Sequence, residues 1–270
     1  MNRLSGLTLR KGWVAWACVG LLCLNVPVAG AAADREKLFS EPGVYGTFAT
    51  FNLDEEWAKE DQATRIAYLT VLKGVVEQHR EKIAIDVYLM RGLSDHADLM
   101  FRAHAADLRD TQQFLVDLQA SHFGKHLKTA RIMHGLTKKA NYVPDFPDQI
   151  KADLKVASES GPNPYVIVIP VRKSADWWGL DHDKRTAMMQ EHTEATLPYL
   201  KTVKRKLYHS SGLDDLDFIT YFETSKMEDF HNLVLSLEKV KEFQYTRRFG
   251  HPTLIGTVKS LDQLIEVLAQ

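Results

Sequence analysis

Cysteine is almost missing from this chain. Both copies, Cys18 and Cys23, lie in one apolar N-terminal stretch, so everything after it has none. That excludes disulfides, thiolate nucleophiles and cysteine-held metal or Fe–S sites from the rest of the protein. A glycine-rich phosphate loop, an EF-hand spacing and a Ser/His/Asp order are missing too, which removes three common routes to function. Neither sign of charge dominates. With 34 Lys+Arg against 35 Asp+Glu, the chain lacks the basic excess of a nucleic-acid binder.

What is present begins with a leader. Residues 1–11 carry Arg3, Arg10 and Lys11 and no acid, 12-GWVAWACVGLLCL-24 is uncharged and apolar, and 26-VPVAGAAA-33 offers small residues to a peptidase. This order reads as a secretory signal peptide over 1–32, cleaved near Ala31 to Ala33. The competing reading is an uncleaved anchor, since the uncharged stretch runs from Gly12 to Ala33. Asn25, Pro27 and the small residues favour cleavage, hence a periplasmic protein with no stable membrane association. There is no twin-arginine pair, so the chain is expected to cross unfolded and to meet any cofactor outside the cytoplasm.

The remainder, 45% apolar and 26% charged overall, reads as two similar halves, 33–150 and 151–270. In the first, strands are expected at 43–53, 83–92 and 98–105, with helical spacing over 55–80 and 109–124. In the second, strands are expected at 165–173, 203–210 and 216–223, helices at 181–201 and 226–242, and a closing segment at 248–258. Gly-Leu turns at 92 and 212, and Trp57 echoed by Trp178, put the repeat near 120 residues. Two β-α-β-β-α-β halves predict a duplicated ferredoxin-like α+β fold, of the kind found in dimeric α+β barrels. The link 133–164, rich in Pro, Lys and Asp, is expected to cross the surface.

Two residues stand out. Met188, His192, Ala195, Thr196 and Tyr199 share one mostly apolar helix face, so His192 points inward. Strand alternation puts Lys204, Lys206 and Tyr208 on one face, read as solvated, and Val203, Arg205, Leu207 and His209 on the other. A guanidinium on an apolar face needs an anion, and none is evident on that face. Counting back 120 residues, His192 meets Leu72 and Arg205 meets Ile85, so the chemistry belongs to the second half. From spacing alone His192 reads first as a core histidine satisfied by one hydrogen bond, and a ligand role is the lesser reading. His122 and His126, one helical turn apart, are a weak zinc spacing, because Gly124 and Lys125 mark a frayed end.

The run HTEATLPYLKTVKRKLYHSSGLDDLDFITYFE, from His192 to Glu223, resembles the haem-binding core of chlorite dismutases. The resemblance spans most of 40–268 and is closest to the longer-subunit, exported, pentameric type. It implies one haem b per subunit, non-covalent since C-x-x-C-H is lacking, with His192 as proximal iron ligand and Glu242 accepting its other ring N–H. It makes Arg205 the distal catalytic cation, Leu207, Thr220 and Phe222 pocket residues, and Lys173, Trp177, Trp178, Asn141 and Tyr142 neighbours of the haem edge and propionates. Without the resemblance, Lys173 would be an exposed strand end and the tryptophans plain core. The implied reaction turns chlorite into chloride and O₂, through a ferryl species and a hypochlorite-level fragment held by Arg205. Alternatives on the same scaffold are a coproporphyrin-haem decarboxylase, a peroxidase-like enzyme and a non-enzymatic haem carrier. A leader and an inward Arg205 argue against the first and the last.

Overall fold

The computed structural model describes residues 32–139, 146–158 and 163–270. The leader, Asn141 and Tyr142 lie outside them. A short helix, α1 (Arg35–Ser40), precedes the first half: β1 (Tyr45–Leu53), α2 (Gln62–His79), β2 (Ile83–Leu89), β3 (Leu99–Ala105), α3 (Leu108–Ala120) and β4 (Leu127–Leu136). After α4 (Asp148–Ser158) the second half repeats the order. It consists of β5 (Tyr165–Lys173), α5 (Ala175–Gly179), α6 (His182–Thr196), β6 (Val203–His209), β7 (Phe218–Thr224), α7 (Met227–Leu237), β8 (Thr246–Phe249) and β9 (Leu254–Lys259), and α8 (Leu261–Leu268) ends the chain. No helix among the described residues is long and apolar enough to cross a membrane.

Among the described residues nine strands form one sheet, in the order β7-β6-β4-β1-β3-β2-β9-β5-β8, and β7 also pairs with β5. That last pairing closes eight strands into a barrel, with β8 hung on β5. Each half is a ferredoxin-like sheet, and the halves join at β4–β6 and β2–β9. Beside the first seam Gly46 of β1 and Gly135 of β4 sit opposite each other, and a Cβ on either would collide with the Tyr208 side chain of β6. Closure therefore depends on two missing side chains.

Alternation divides every strand between lumen and outer wall. Phe48, Met100, Val166, Val168, Tyr208 and Tyr221 fill the lumen. Outside, α2, α3 and α8 cover the first half with a core that includes Leu72, Phe101, Phe114, Leu264 and Leu268. The outer wall of the second half packs Ile167, Ile169, Val203 and Phe222 against Phe230, Leu233 and Leu237 of α7.

The two halves are in close register. β1 and β5 start 120 residues apart at Tyr45 and Tyr165, while β3 and β7 start 119 apart at Leu99 and Phe218.

Several local expectations differ from the structure. The repeat pairs Trp57 with buried Trp177, not with Trp178, which is 47% exposed. Helix α7 stops at Leu237, and a 3₁₀ turn over Lys241–Tyr245 carries Glu242. The linker is partly structured, since β4 runs to Leu136 and α4 packs on β6. The closing segment is two strands plus a helix. Lys206 and Tyr208 face the barrel lumen rather than water, and Lys206 Nζ donates to the Phe39 carbonyl of α1.

Candidate functional site

α6 gives way at Thr196 to a 3₁₀ turn, Leu197–Tyr199, in which Pro198 has no N–H to continue the helix. Before that break, Met188, His192 and Thr196 form an inward stripe. His192 keeps 26% of its side chain exposed, while Thr196 is fully buried.

His192 Nδ1 lies 2.7 Å from Glu242 Oε1. Burial pushes the Glu242 carboxyl up, but the hydrogen bond and charge of His192, and then those of Lys173, outweigh it and hold it at about 2. An ionised carboxylate only accepts, so Nδ1 carries the proton and, in the neutral ring, Nε2 offers its lone pair. Lys173 Nζ donates to the other oxygen of Glu242 and, at 2.8 Å, to Thr246 Oγ1. Lys173 is buried, with its ammonium 5.0 Å from the Trp177 ring centroid. Lys173, Glu242 and His192 thus make one relay that fixes the tautomer and the orientation of the ring.

Facing α6 is the outer wall of the second half. Arg205 sits opposite Phe222 and Leu207 opposite Thr220 across the β6–β7 ladder. Thr220 Oγ1 donates to the Ile169 carbonyl at 2.9 Å, which leaves its methyl and the Phe222 ring to line the wall. Arg205 Nη1 donates to Thr196 Oγ1 on α6. Trp178 lies at the margin, its ring stacked on Phe218 at 6.1 Å. From the sequence Thr196 reads only as part of an apolar face, and nothing there singles out Thr246. Both are small hydroxyl residues, whose direction is set by packing rather than spacing.

The first half provides an internal comparison. Through the repeat, Lys173, His192, Arg205, Thr220 and Glu242 correspond to Leu53, Leu72, Ile85, Phe101 and Phe123, all part of or packed against one apolar core. Five positions that are plain packing in one half carry an imidazole, a carboxylate, two cations and a hydroxyl in the other. Such replacements cost stability unless a ligand uses them. A nitrogen donor backed by a carboxylate, across from an apolar wall carrying a guanidinium, fits a metalloporphyrin that His192 would hold, with Arg205 available to an anion.

The weak zinc spacing has another arrangement. Beyond the end of α3, His122 and His126 both stack on the Tyr68 ring at 5.3 and 5.8 Å, and His126 Nδ1 lies 3.0 Å from Asp54 Oδ1. Two open depressions of about 510 and 540 Å³ share no residue with the α6–β6 cluster.

The sequence profile of the family described as chlorite dismutase matches residues 65–259. The chain is 41% identical over 245 residues to the chlorite dismutase of Ideonella dechloratans, covering 90% of this chain and 86% of that one. It is 25% identical over 226 residues to the coproheme decarboxylase of Mycolicibacterium smegmatis, covering 83% and 94%. Among solved structures, the chlorite dismutase of Candidatus Nitrospira defluvii in complex with imidazole superposes with a TM-score of 0.85 at 59% identity. That match covers 88% of this chain and all (100%) of the other.

Proposed function

Because the chain belongs to the chlorite dismutase family, we propose that it converts chlorite to chloride and dioxygen on one non-covalent haem b per subunit. His192 would hold the iron and Arg205 would be the cation that meets the substrate. The carrying observation is the His192–Glu242–Lys173 relay opposite Arg205, present in one half and replaced by apolar core in the other. When bound, haem supplies an iron centre able to take up and return one oxygen atom.

The chain's own residues account for the rest. Glu242 keeps the proton on Nδ1 of His192 and strengthens the donor at Nε2. Arg205, charged at every working pH, draws in chlorite and orients it. Once one oxygen has left, the hypochlorite-level anion is held by the same guanidinium until the O–O bond forms. Leu207 and Phe222 slow its exchange with water. In this reading Thr220, Lys173, Trp177 and Trp178 complete the surroundings of the group, and the resemblance adds Asn141 and Tyr142, which lie outside the described residues.

An oxygen electrode tests the reaction class. Haem-loaded mature protein is expected to release one O₂ per chlorite. Arg205→Ala is expected to turn over roughly 10-fold more slowly or worse, the scale of losing a hydrogen bond to a charged group. It should also bleach sooner, because escaped oxidant attacks the porphyrin. No O₂ from protein with a ferric haem spectrum would defeat the proposal, and equal bleaching of mutant and parent would remove the retention role of Arg205.

The resemblance also supports a pentameric assembly, and the basic, apolar and small-residue blocks of 1–32 support export to the periplasm as a chain whose second half, 151–270, carries the site. Intact mass of the exported protein and its mass in solution check these two points.

A further inference from the structure

We propose that Thr246 is a positioning residue for the His192 relay: a bulge in β8 brings its hydroxyl onto the Lys173 ammonium and so sets how that cation bears on Glu242. β8 follows β5 in even antiparallel register at Val171–Phe249 and Arg172–Arg248, and the next pair is Lys173 with Thr246. Even register would have set Lys173 beside Arg247, one cation against another. The bulge passes over Arg247, which stays exposed, and brings the next residue into its place. An ammonium only donates, so the Thr246 hydroxyl accepts, at 2.8 Å. Its other two N–H groups go to Glu242, one to the carboxylate and one, at 3.5 Å, to the backbone carbonyl. Three donors thus meet three acceptors in a buried place. Thr246 also closes the 3₁₀ turn Lys241–Tyr245 that carries Glu242, so every acceptor of Lys173 belongs to one short segment. Through the repeat, Lys173 and Thr246 correspond to Leu53 and Leu127, paired in the same way across β1 and β4 and part of, or packed on, the apolar core. A leucine pair in one half is a charged hydrogen bond in the other. Removing the Thr246 acceptor leaves the ammonium to Glu242 alone. The carboxylate then serves Lys173 more and the His192 N–H less, which weakens the imidazole as a donor.

This rests on the reading of His192 as the residue that would hold the iron, and the test separates the two. Haem-loaded wild type, Thr246→Val, Thr246→Ser and Glu242→Gln are compared by the iron–histidine stretching band of the reduced protein and by the ferric/ferrous midpoint potential. Both readouts follow the donor strength of the imidazole. Glu242→Gln, which exchanges a carboxylate for an amide acceptor, is expected to lower the band frequency and raise the potential. Thr246→Val should shift both in the same direction and by less, since it acts one partner further away. Thr246→Ser keeps the acceptor and should return both to wild-type values. Thr246→Ala makes the same loss without a second methyl beside the ammonium, and it is expected to match Thr246→Val. Wild-type values in Thr246→Val and Thr246→Ala, with Glu242→Gln shifted, overturn the role of Thr246 alone. A shift that serine does not rescue also overturns it, by assigning the effect to the packing of β8. A wild-type protein without an iron–histidine band, or with one that Glu242→Gln leaves in place, overturns the underlying reading of His192.

Discussion

Glu242 accepts from an imidazole and an ammonium at once, and that makes it the most demanding single residue of the site. Both it and Lys173 keep only 6% of their side chains exposed. Replacing the carboxylate by an amide leaves the ammonium buried beside neutral acceptors. Glu242→Gln is therefore expected to cost about 3–5 kcal/mol, the range for removing one partner of a buried pair. Urea unfolding measures it. Glu242→Gln combined with Lys173→Met should be less destabilised than the sum of the single changes, because no charge then stays buried. Strict additivity would show that the pair is not coupled. At this scale the sequence was informative where a residue type clashed with its face. His192 on an apolar stripe and Arg205 beside Val203 and Leu207 were visible from spacing. Thr196 was not, because a threonine suits a buried helix face equally well whether its hydroxyl serves a guanidinium or only its own helix.

Elements were legible where their period was long and misread where packing sets their ends. The strands β5, β6 and β7 fall close to the expected spans. The stop of α7 at Leu237 and the 3₁₀ turn that follows are local compromises that let Glu242 reach α6, and no periodicity announces them. α8 was passed over although it carries a capping box, Ser260 with Gln263, which is a readable start signal. Its role is specific: Leu264 and Leu268 enter the core of the first half, and the Trp57 indole donates to the Leu268 carbonyl at 3.3 Å. α4 follows β4 as α8 follows β9 and packs on β6 of the other half, while α8 packs on β2 and on the long helix α2. The first half is therefore closed over a solid core. Leu264→Ala is expected to lower stability by about 2–5 kcal/mol while leaving the ferric haem spectrum of the loaded protein unchanged. A changed spectrum would mean that the two halves are not separable in this respect.

Across the whole molecule the decisive event is barrel closure, which no local pattern encodes. Alternation showed that Lys206 and Tyr208 share a face, but not that a lumen lay behind it. Closure buries charge there: Arg102 pairs with Asp86 at 2.7 Å, Tyr88 and Tyr221 hydroxyls meet at 3.0 Å, and Tyr221 donates to Glu223. His104, fully buried, lies with Nε2 2.6 Å from the Tyr208 hydroxyl, and Phe39 of α1 packs on its ring at a 46° tilt with centroids 4.2 Å apart. Burial first, and then the cations Arg102, Lys206 and Arg35, hold the His104 ring well below the usual 6.5. On the outer wall, burial and Lys138 lower His209 to about 4. Both shifts have one sign. Below about pH 6.5 the unfolded chain takes up protons that the folded protein refuses, so stability is full above that pH and falls as pH drops toward each folded value. For His209 the loss is complete near pH 4. The fully buried His104 should contribute a slope approaching about 1.4 kcal/mol per pH unit, and the partly exposed His209 less. Urea midpoints measured from pH 7.5 down to pH 5 are expected to fall, and to fall less steeply in His104→Gln, which keeps a hydrogen-bonding group beside Tyr208 but cannot titrate. Identical slopes in both proteins would mean that His104 takes its proton without opening the barrel.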